Sequence, residues 1–289
     1  MHTVVIKDIP RAYKPTVEEF MNNYVDRRLP VVIEGGLDQW GAKNWTLPIL
    51  KQKLGAKEFT FRTEFGRKEG IFSEMLECIE CSTAENPAVY LRNIDIHDIL
   101  PELSADIPKL KYMENNWRDH WAWPEKWPYY VRRNLMELFI SGPGVSFPRL
   151  HIDYWAMDAF VAQLHGYKDF ILYPIEDAPY LYVDAEDPLI STVDDFANPN
   201  FEKYPLLAQA TQYRVRLGPG DLLYNPAWWH TTLTLETSIT VIMAYYHRRN
   251  YSAFIKEIQR VYKKCNVFKT TLIVQYFRTL GWFKMMMER

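Results

Sequence analysis

The sequence predicts a mainly β protein with flanking helices: a jelly-roll core behind an N-terminal α/β flank and ahead of C-terminal helices. Seven short β-type runs between residues 136 and 246, each bounded by Gly, Pro or Asp/Asn, predict the core. Apolar residues at helical spacing near both ends predict the flanks. A content of 48% apolar and 15% aromatic residues in 289 supplies material for a substantial interior. One domain is expected over 1–249, with the flank at 1–130 and the core barrel at 131–249, followed by a helical segment at 250–289.

In chain order, Thr16-Val17-Glu18-Glu19 is a capping-box pattern, and Val17, Phe20, Met21 and Tyr24 share one helical face, which predicts an amphipathic helix over 16–27. Pro30-Val31-Val32-Ile33 reads as a buried strand stopped by Gly35-Gly36. Residues 47–54 read as a short helix stopped by Gly55. Alternation predicts a strand at 59–62, then a helix over 71–82 and a strand at 89–92. Cys78 and Cys81 form a lone Cys-x-x-Cys with no second pair, so they read as two thiols on a helix or loop. Between Trp117 and Tyr130 lie Trp117, Trp121, Trp123, Trp127, Tyr129 and Tyr130, either a plug over the barrel mouth or a wall of a substrate groove. His120 there reads as a partly exposed loop residue.

Core strands are expected at 136–141, 159–165, 167–173, 212–217, 221–225, 229–235 and 237–246. Asp158 and His165 read as structural or peripheral. A long insert separates Pro174 from Thr211. No Lys or Arg occurs from Asp169 to Glu202, whereas Glu176, Asp177, Asp184, Glu186, Asp187, Asp194, Asp195 and Glu202 do. It is either a solvated acidic loop or a lid that favours a basic substrate segment. Phe254, Ile258, Val261, Tyr262 and Cys265 stripe a helix from about residue 252, and Leu272, Val274, Tyr276, Phe277 and Leu280 a second over 269–280. These helices either pack on the barrel or pair with a second chain.

A net charge of −2, from 34 basic and 36 acidic residues, argues against a nucleic-acid binder that relies on bulk positive field. The start lacks a signal-peptide layout, and no window approaches eighteen uninterrupted apolar residues, so a soluble cytoplasmic protein is expected, without membrane attachment. Three cysteines make no disulfide framework.

The chemistry concentrates in PRLHIDYWAMDAFVAQLHGYK and in LGPGDLLYNPAWWHTTLTLETSITVIMAYY. In an extended segment His151 and Asp153 point to the same side, about 6.6 Å apart, close enough to converge on one cation. His230 is the candidate third ligand, because a Gly-Pro-Gly turn and an Asn-Pro corner return its strand alongside. Two imidazoles and one carboxylate on one face of an ion leave the opposite positions open, the arrangement of non-haem Fe(II) oxygenases.

These motifs resemble the small hydroxylases of the Jumonji-C (JmjC, cupin-like) group of Fe(II)- and 2-oxoglutarate-dependent oxygenases, over Phe20 to Tyr246. The resemblance implies a double-stranded β-helix, with His151, Asp153 and His230 holding Fe(II). Lys168, in Gly166-Tyr167-Lys168, matches the lysine that pairs with the far carboxylate of 2-oxoglutarate, and Tyr90 the strand tyrosine that hydrogen-bonds it. The seventeen-residue step from His151 to Lys168 matches the lysyl-hydroxylase branch. Three positions depart from the family: Pro148 stands where a Thr is frequent, Ala244 where an Asn is frequent, and Ile242 where a polar residue is frequent. Ser146, Thr240 and Arg92 are candidates to supply the missing hydrogen bonds. By resemblance, O2 and 2-oxoglutarate are consumed, succinate and CO2 are released, and a protein or peptide side chain is hydroxylated. Related hydroxylases dimerise through C-terminal helices, so a homodimer is expected. The rivals are a cupin enzyme acting on a small molecule or RNA base, and a non-catalytic JmjC-like module that keeps its metal as a staple.

Overall fold

The computed structural model describes residues 4–63, 66–125, 132–147, 149–263 and 267–288. Trp127, Tyr129, Tyr130, Pro148 and Cys265 lie outside them. The described strands are β1 (Val5–Asp8), β2 (Arg11–Tyr13), β3 (Val31–Glu34), β4 (Glu58–Thr63), β5 (Gly66–Ile71), β6 (Leu91–Asp95), β7 (Met136–Ser141), β8 (Asp158–His165), β9 (Lys168–Tyr173), β10 (Thr211–Leu217), β11 (Leu222–Asn225), β12 (Trp229–Thr234) and β13 (Ser238–Tyr245). The helices are α1 (Val17–Phe20), α2 (Leu47–Leu54), α3 (Phe72–Glu80), α4 (Ile96–Ile99), α5 (Tyr251–Tyr262) and α6 (Val267–Met287).

Two sheets face each other. The larger runs β2-β3-β11-β8-β13-β7-β6-β4-β5 and the smaller β1-β10-β9-β12. Their inner faces meet in a cluster containing Val32, Ala159, Val161 and Leu223 from the larger sheet and Phe170, Leu172 and Leu217 from the smaller. This is the expected jelly roll, mainly β with flanking helices. The other face of the larger sheet is covered by the N-terminal flank, where Phe20, Leu50, Phe72 and Leu76 pack against Phe160, Tyr224, Val241 and Tyr245.

The capping box at Thr16 and Glu19 forms as expected. The helix it starts is shorter and less regular than predicted: α1 gives way at Met21–Val25 to a π-helical turn, closed by a bond from Asp26 N to Met21 O of 2.9 Å. Thr46 caps α2 by accepting from Ile49 N. β1 pairs parallel with β10, and β2 parallel with β3.

The acidic insert is packed down with a core of its own. Leu181, Val193, Phe196, Tyr204 and Leu207 pack on Leu150, Tyr173 and Trp229 at the outer face of the smaller sheet. Five of its carboxylates hold the insert's own turns and neighbours. Asp184, Asp187 and Asp195 accept from backbone N–H groups one turn on, Asp177 accepts from Thr211 N, and Asp194 pairs with Lys203. Fewer are thereby left to attract a basic segment.

Trp117 and Trp123 are buried together with Tyr251, Phe254, Phe277 and Leu280, so these two tryptophans and both C-terminal helices pack against Trp155, Ala244 and Tyr246 at one end of the barrel. Trp121 is 80% exposed. α6 approaches α5 closely at Gly281, where a Cβ would meet the Tyr251 ring at 2.3 Å. Among the described residues no helix is long and apolar enough to cross a membrane. Cys78 and Cys81 are exposed at the end of α3.

Candidate metal centre and cosubstrate pocket

His230 lies on β12, and His151 comes alongside it in a lone antiparallel bridge, with reciprocal backbone bonds of 3.0 and 2.8 Å. The 151–153 stretch is therefore not a regular strand. His151 also bridges Ile190 of the insert, so this extended segment is clamped from two sides. Directly after Asp153 the chain turns sharply, with positive φ at Trp155 and Ala156. The three side chains converge as the spacing suggests: one ligand atom from each of His151, Asp153 and His230 lies within 4.8 Å of the others. Asp153 Oδ1 is 3.7 Å from His151 Nε2, and Asp153 Oδ2 is 3.8 Å from His230 Nε2.

Both imidazoles have their other nitrogen at a backbone carbonyl. His151 Nδ1 is 3.1 Å from Arg149 O, and His230 Nδ1 is 3.0 Å from Trp228 O. At His151, donation from Nδ1 to Arg149 O leaves the Nε2 lone pair toward Asp153, the state a metal ligand needs, whereas His230 Nδ1 also meets the Asn225 amide nitrogen at 3.2 Å. Asn225 steadies this corner by accepting from Trp228 N at 3.0 Å. Burial, reinforced by the neighbouring His230, pushes the His151 imidazole well below its ordinary pKa and keeps it neutral. Burial also pushes the Asp153 carboxyl up. A desolvated carboxylate facing two imidazole nitrogens is a donor set that a divalent cation satisfies.

Lys168 opens β9 on the barrel's inner face, as Phe170 and Leu172 do further along. It is 2% exposed, and its Nζ donates to Tyr90 Oη at 3.2 Å and lies 5.1 Å from that ring. No carboxylate among the described residues pairs with it, and burial pushes its pKa down to about 7. Burial pushes the Tyr90 hydroxyl up, so it remains a neutral donor. A buried ammonium beside a phenol, with no anion of its own, fits the distal carboxylate of a dicarboxylate cosubstrate. The register depends on Gly166, whose φ of +66° closes the β8–β9 turn and where a Cβ would lie 2.0 Å from Thr237 O.

The other three candidates are placed differently. Arg92 is half-buried on β6 with its guanidinium 5.1 Å from the Phe147 ring, and its charge acts on both Tyr90 and His151. Thr240 is buried, but its hydroxyl proton goes to Gln163 Oε1 at 2.9 Å, so it is left as an acceptor rather than the donor a carboxylate requires. Ser146 is exposed: the chain pairs it with Leu233 at the rim of a groove of about 660 Å³ on the outer face of the smaller sheet, outside the buried polar set. Ile242 packs against the inner apolar cluster and Ala244 against the C-terminal helices, so neither position offers a polar group. Asp158 is fully buried and structural. Arg28, Tyr224 and His247 all bond to it at 2.5–2.7 Å. Sequence reasoning missed Phe147, whose ring stacks on His151 at 4.2 Å and 19°.

A cupin-like domain model matches residues 17–253, and the chain belongs to the cupin-like family. The tRNA wybutosine-synthesizing protein 5 of Gallus gallus is 29% identical over 266 residues, covering 83% of this chain and 77% of that protein. Lysine-specific demethylase 8 of Danio rerio is 28% identical over 250 residues, covering 81% and 57%. The bifunctional arginine demethylase and lysyl-hydroxylase psr-1 of Caenorhabditis elegans is 24% identical over 245 residues, covering 80% and 58%. Fold, donor set and relatives together define a JmjC-type, 2-oxoglutarate-dependent dioxygenase that uses Fe(II) and O2.

Proposed function

We propose that the enzyme hydroxylates a protein or peptide side chain, with His151, Asp153 and His230 as the metal ligands and Lys168 and Tyr90 as the grip on 2-oxoglutarate. The observation that carries the site assignment is the unpaired, buried Lys168 ammonium on the inner face of a barrel whose metal donors sit nearby on β12 and the 151–153 segment. Fe(II) with 2-oxoglutarate supplies O2 activation, converting 2-oxoglutarate to succinate and CO2 as a C–H bond is hydroxylated. The protein's part is positional. Arg149 and Trp228 carbonyls hold the imidazoles, Lys168 and Tyr90 orient the cosubstrate, and Phe170, Leu172 and Ile242 keep the interior dry. Arg92, whose charge acts on both Tyr90 and His151, is the stronger candidate for an auxiliary cosubstrate contact; Thr240 and Ser146 are the weaker ones.

The triad's side chains are 13–19% exposed, within reach of a side chain offered by a macromolecule. A modified RNA base is the second reading. The similarity to a tRNA wybutosine-synthesizing protein supports it, and against that relative a near-neutral net charge carries little weight. We also propose a cytoplasmic homodimer that pairs through the C-terminal helices, because α6 leaves Phe268, Leu272, Trp282 and Met286 more than half exposed.

The test is succinate release from protein loaded anaerobically and then given O2, compared across Fe(II), Mn(II) and Zn(II). Turnover with Fe(II) alone, lost in Asp153→Ala, is the expected result; equal release by that variant overturns the ligand assignment. A +16 Da shift sought in peptide and tRNA pools then decides between the two substrate classes.

A further inference from the structure

A metal-binding imidazole must be fixed in tautomer and in ring plane. For His151 the bond from Nδ1 to Arg149 O settles the tautomer, but one hydrogen bond at the ring's edge leaves the plane free to rock. The Phe147 ring lies flat against that plane, centroids 4.2 Å apart and tilted by only 19°. By contrast, His230 meets His151 at 47° and has no other ring contact among the described residues.

Phe147 is itself held on several sides. Its backbone N donates to Thr232 O at 3.1 Å, and its carbonyl accepts from Thr231 Oγ1 at 3.2 Å. The Arg92 guanidinium also lies over the ring, 5.1 Å from its centre. Tyr90, the partner of Lys168, meets it edge-on at 6.5 Å and 83°.

We propose that Phe147 is a positioning residue: its stacking on His151 sets that ring's plane, and its edge contact with Tyr90 couples the plane to the cosubstrate pocket. This rests on the ligand assignment made above. The ring acts through His151 and touches no reacting atom. A planar side chain is therefore required where apolar volume alone would fill the space.

The experiment titrates Co(II) into the full chain, reading affinity by calorimetry and ligand geometry by the visible spectrum of the bound ion, with thermal melting as the check on folding. Phe147→Leu keeps apolar bulk and loses the plane. It is expected to bind Co(II) on the order of tenfold more weakly, the usual cost of losing a group that orients a ligand, with an altered spectrum. Phe147→Tyr keeps the plane and is expected to rescue both. Should Phe147→Leu fail to fold, Phe147→Met carries the same comparison. Wild-type affinity and spectrum in the Leu or Met variant, with binding lost in His151→Ala, would overturn the stack alone; so would a Tyr variant that folds yet binds as weakly as Leu. Binding that survives His151→Ala unchanged would overturn the ligand assignment and this inference with it.

Discussion

Lys168 enters the barrel as a cation with no anion beside it among the described residues, and that arrangement has a pH signature. Burial lowers its pKa from 10.5 to about 7, so without cosubstrate the ammonium loses its proton near neutrality. A bound carboxylate restores the charged form. Binding above pH 7 must therefore take up a proton, and affinity must fall as pH rises. With metal saturating, the dissociation constant of 2-oxoglutarate is expected to be flat just below pH 7 and to rise toward tenfold per unit above it. Calorimetry in two buffers of different ionisation enthalpy measures the uptake directly. Lys168→Met should bind weakly at every pH without this slope. A wild-type constant that does not change between pH 7 and 9 would mean that Lys168 does not hold the carboxylate.

At the scale of single elements, the β8–β9 turn fixes which residue of β9 reaches the pocket. Gly166 occupies a left-handed conformation with no space for a Cβ. Gly166→Ala is expected to cost about 1–3 kcal/mol, read as a lowered denaturation midpoint, and to weaken 2-oxoglutarate binding by shifting Lys168. An alanine variant with the wild-type midpoint would refute the strain. Elements with a strong local period were legible in the sequence. The 136–141 strand and the 47–54 helix fall where the sequence puts them, because Gly142-Pro143-Gly144 closes the one and Gly55 the other. Gly-Arg-Lys-Glu-Gly-Ile gave no sign of β5, since its strand character comes from pairing with β4 rather than from an apolar face. β1 was equally silent: all four of its residues are exposed, and what holds it is the edge of β10. The convergence of His151, Asp153 and His230 was legible because His-x-Asp and the later His carry their own chemistry. Phe147 was not, because a stacking partner four residues from a ligand has no local mark; only the closed barrel brings the ring onto the imidazole.

For the whole molecule, the C-terminal helices serve two surfaces. Val274, Phe277 and Leu280 of α6 face the barrel, while Phe268, Leu272 and Trp282 face outward. The outward face is the proposed dimer contact, and sedimentation across a concentration series checks it. Leu272→Glu with Trp282→Glu should yield monomers that retain the wild-type melting point, since neither residue belongs to the barrel-facing core. A wild-type chain that sediments as a monomer at every concentration would dismiss the contact. A division at residue 249 is less sharp in packing than in sequence, because Trp117, Trp123 and Tyr246 share one core with α5 and α6.

The parallel pairing of β1 with β10 also has a consequence for synthesis. Val5 finds its partner at Thr211, so β1 leaves the ribosome about two hundred residues before the strand it pairs with, and the side chain of Arg11 waits as long for Asp221. Until then β1 has no strand of its own sheet to pair with. A product that stops short of β10 would keep β1 unpaired for good, with backbone groups open to pairing with another chain.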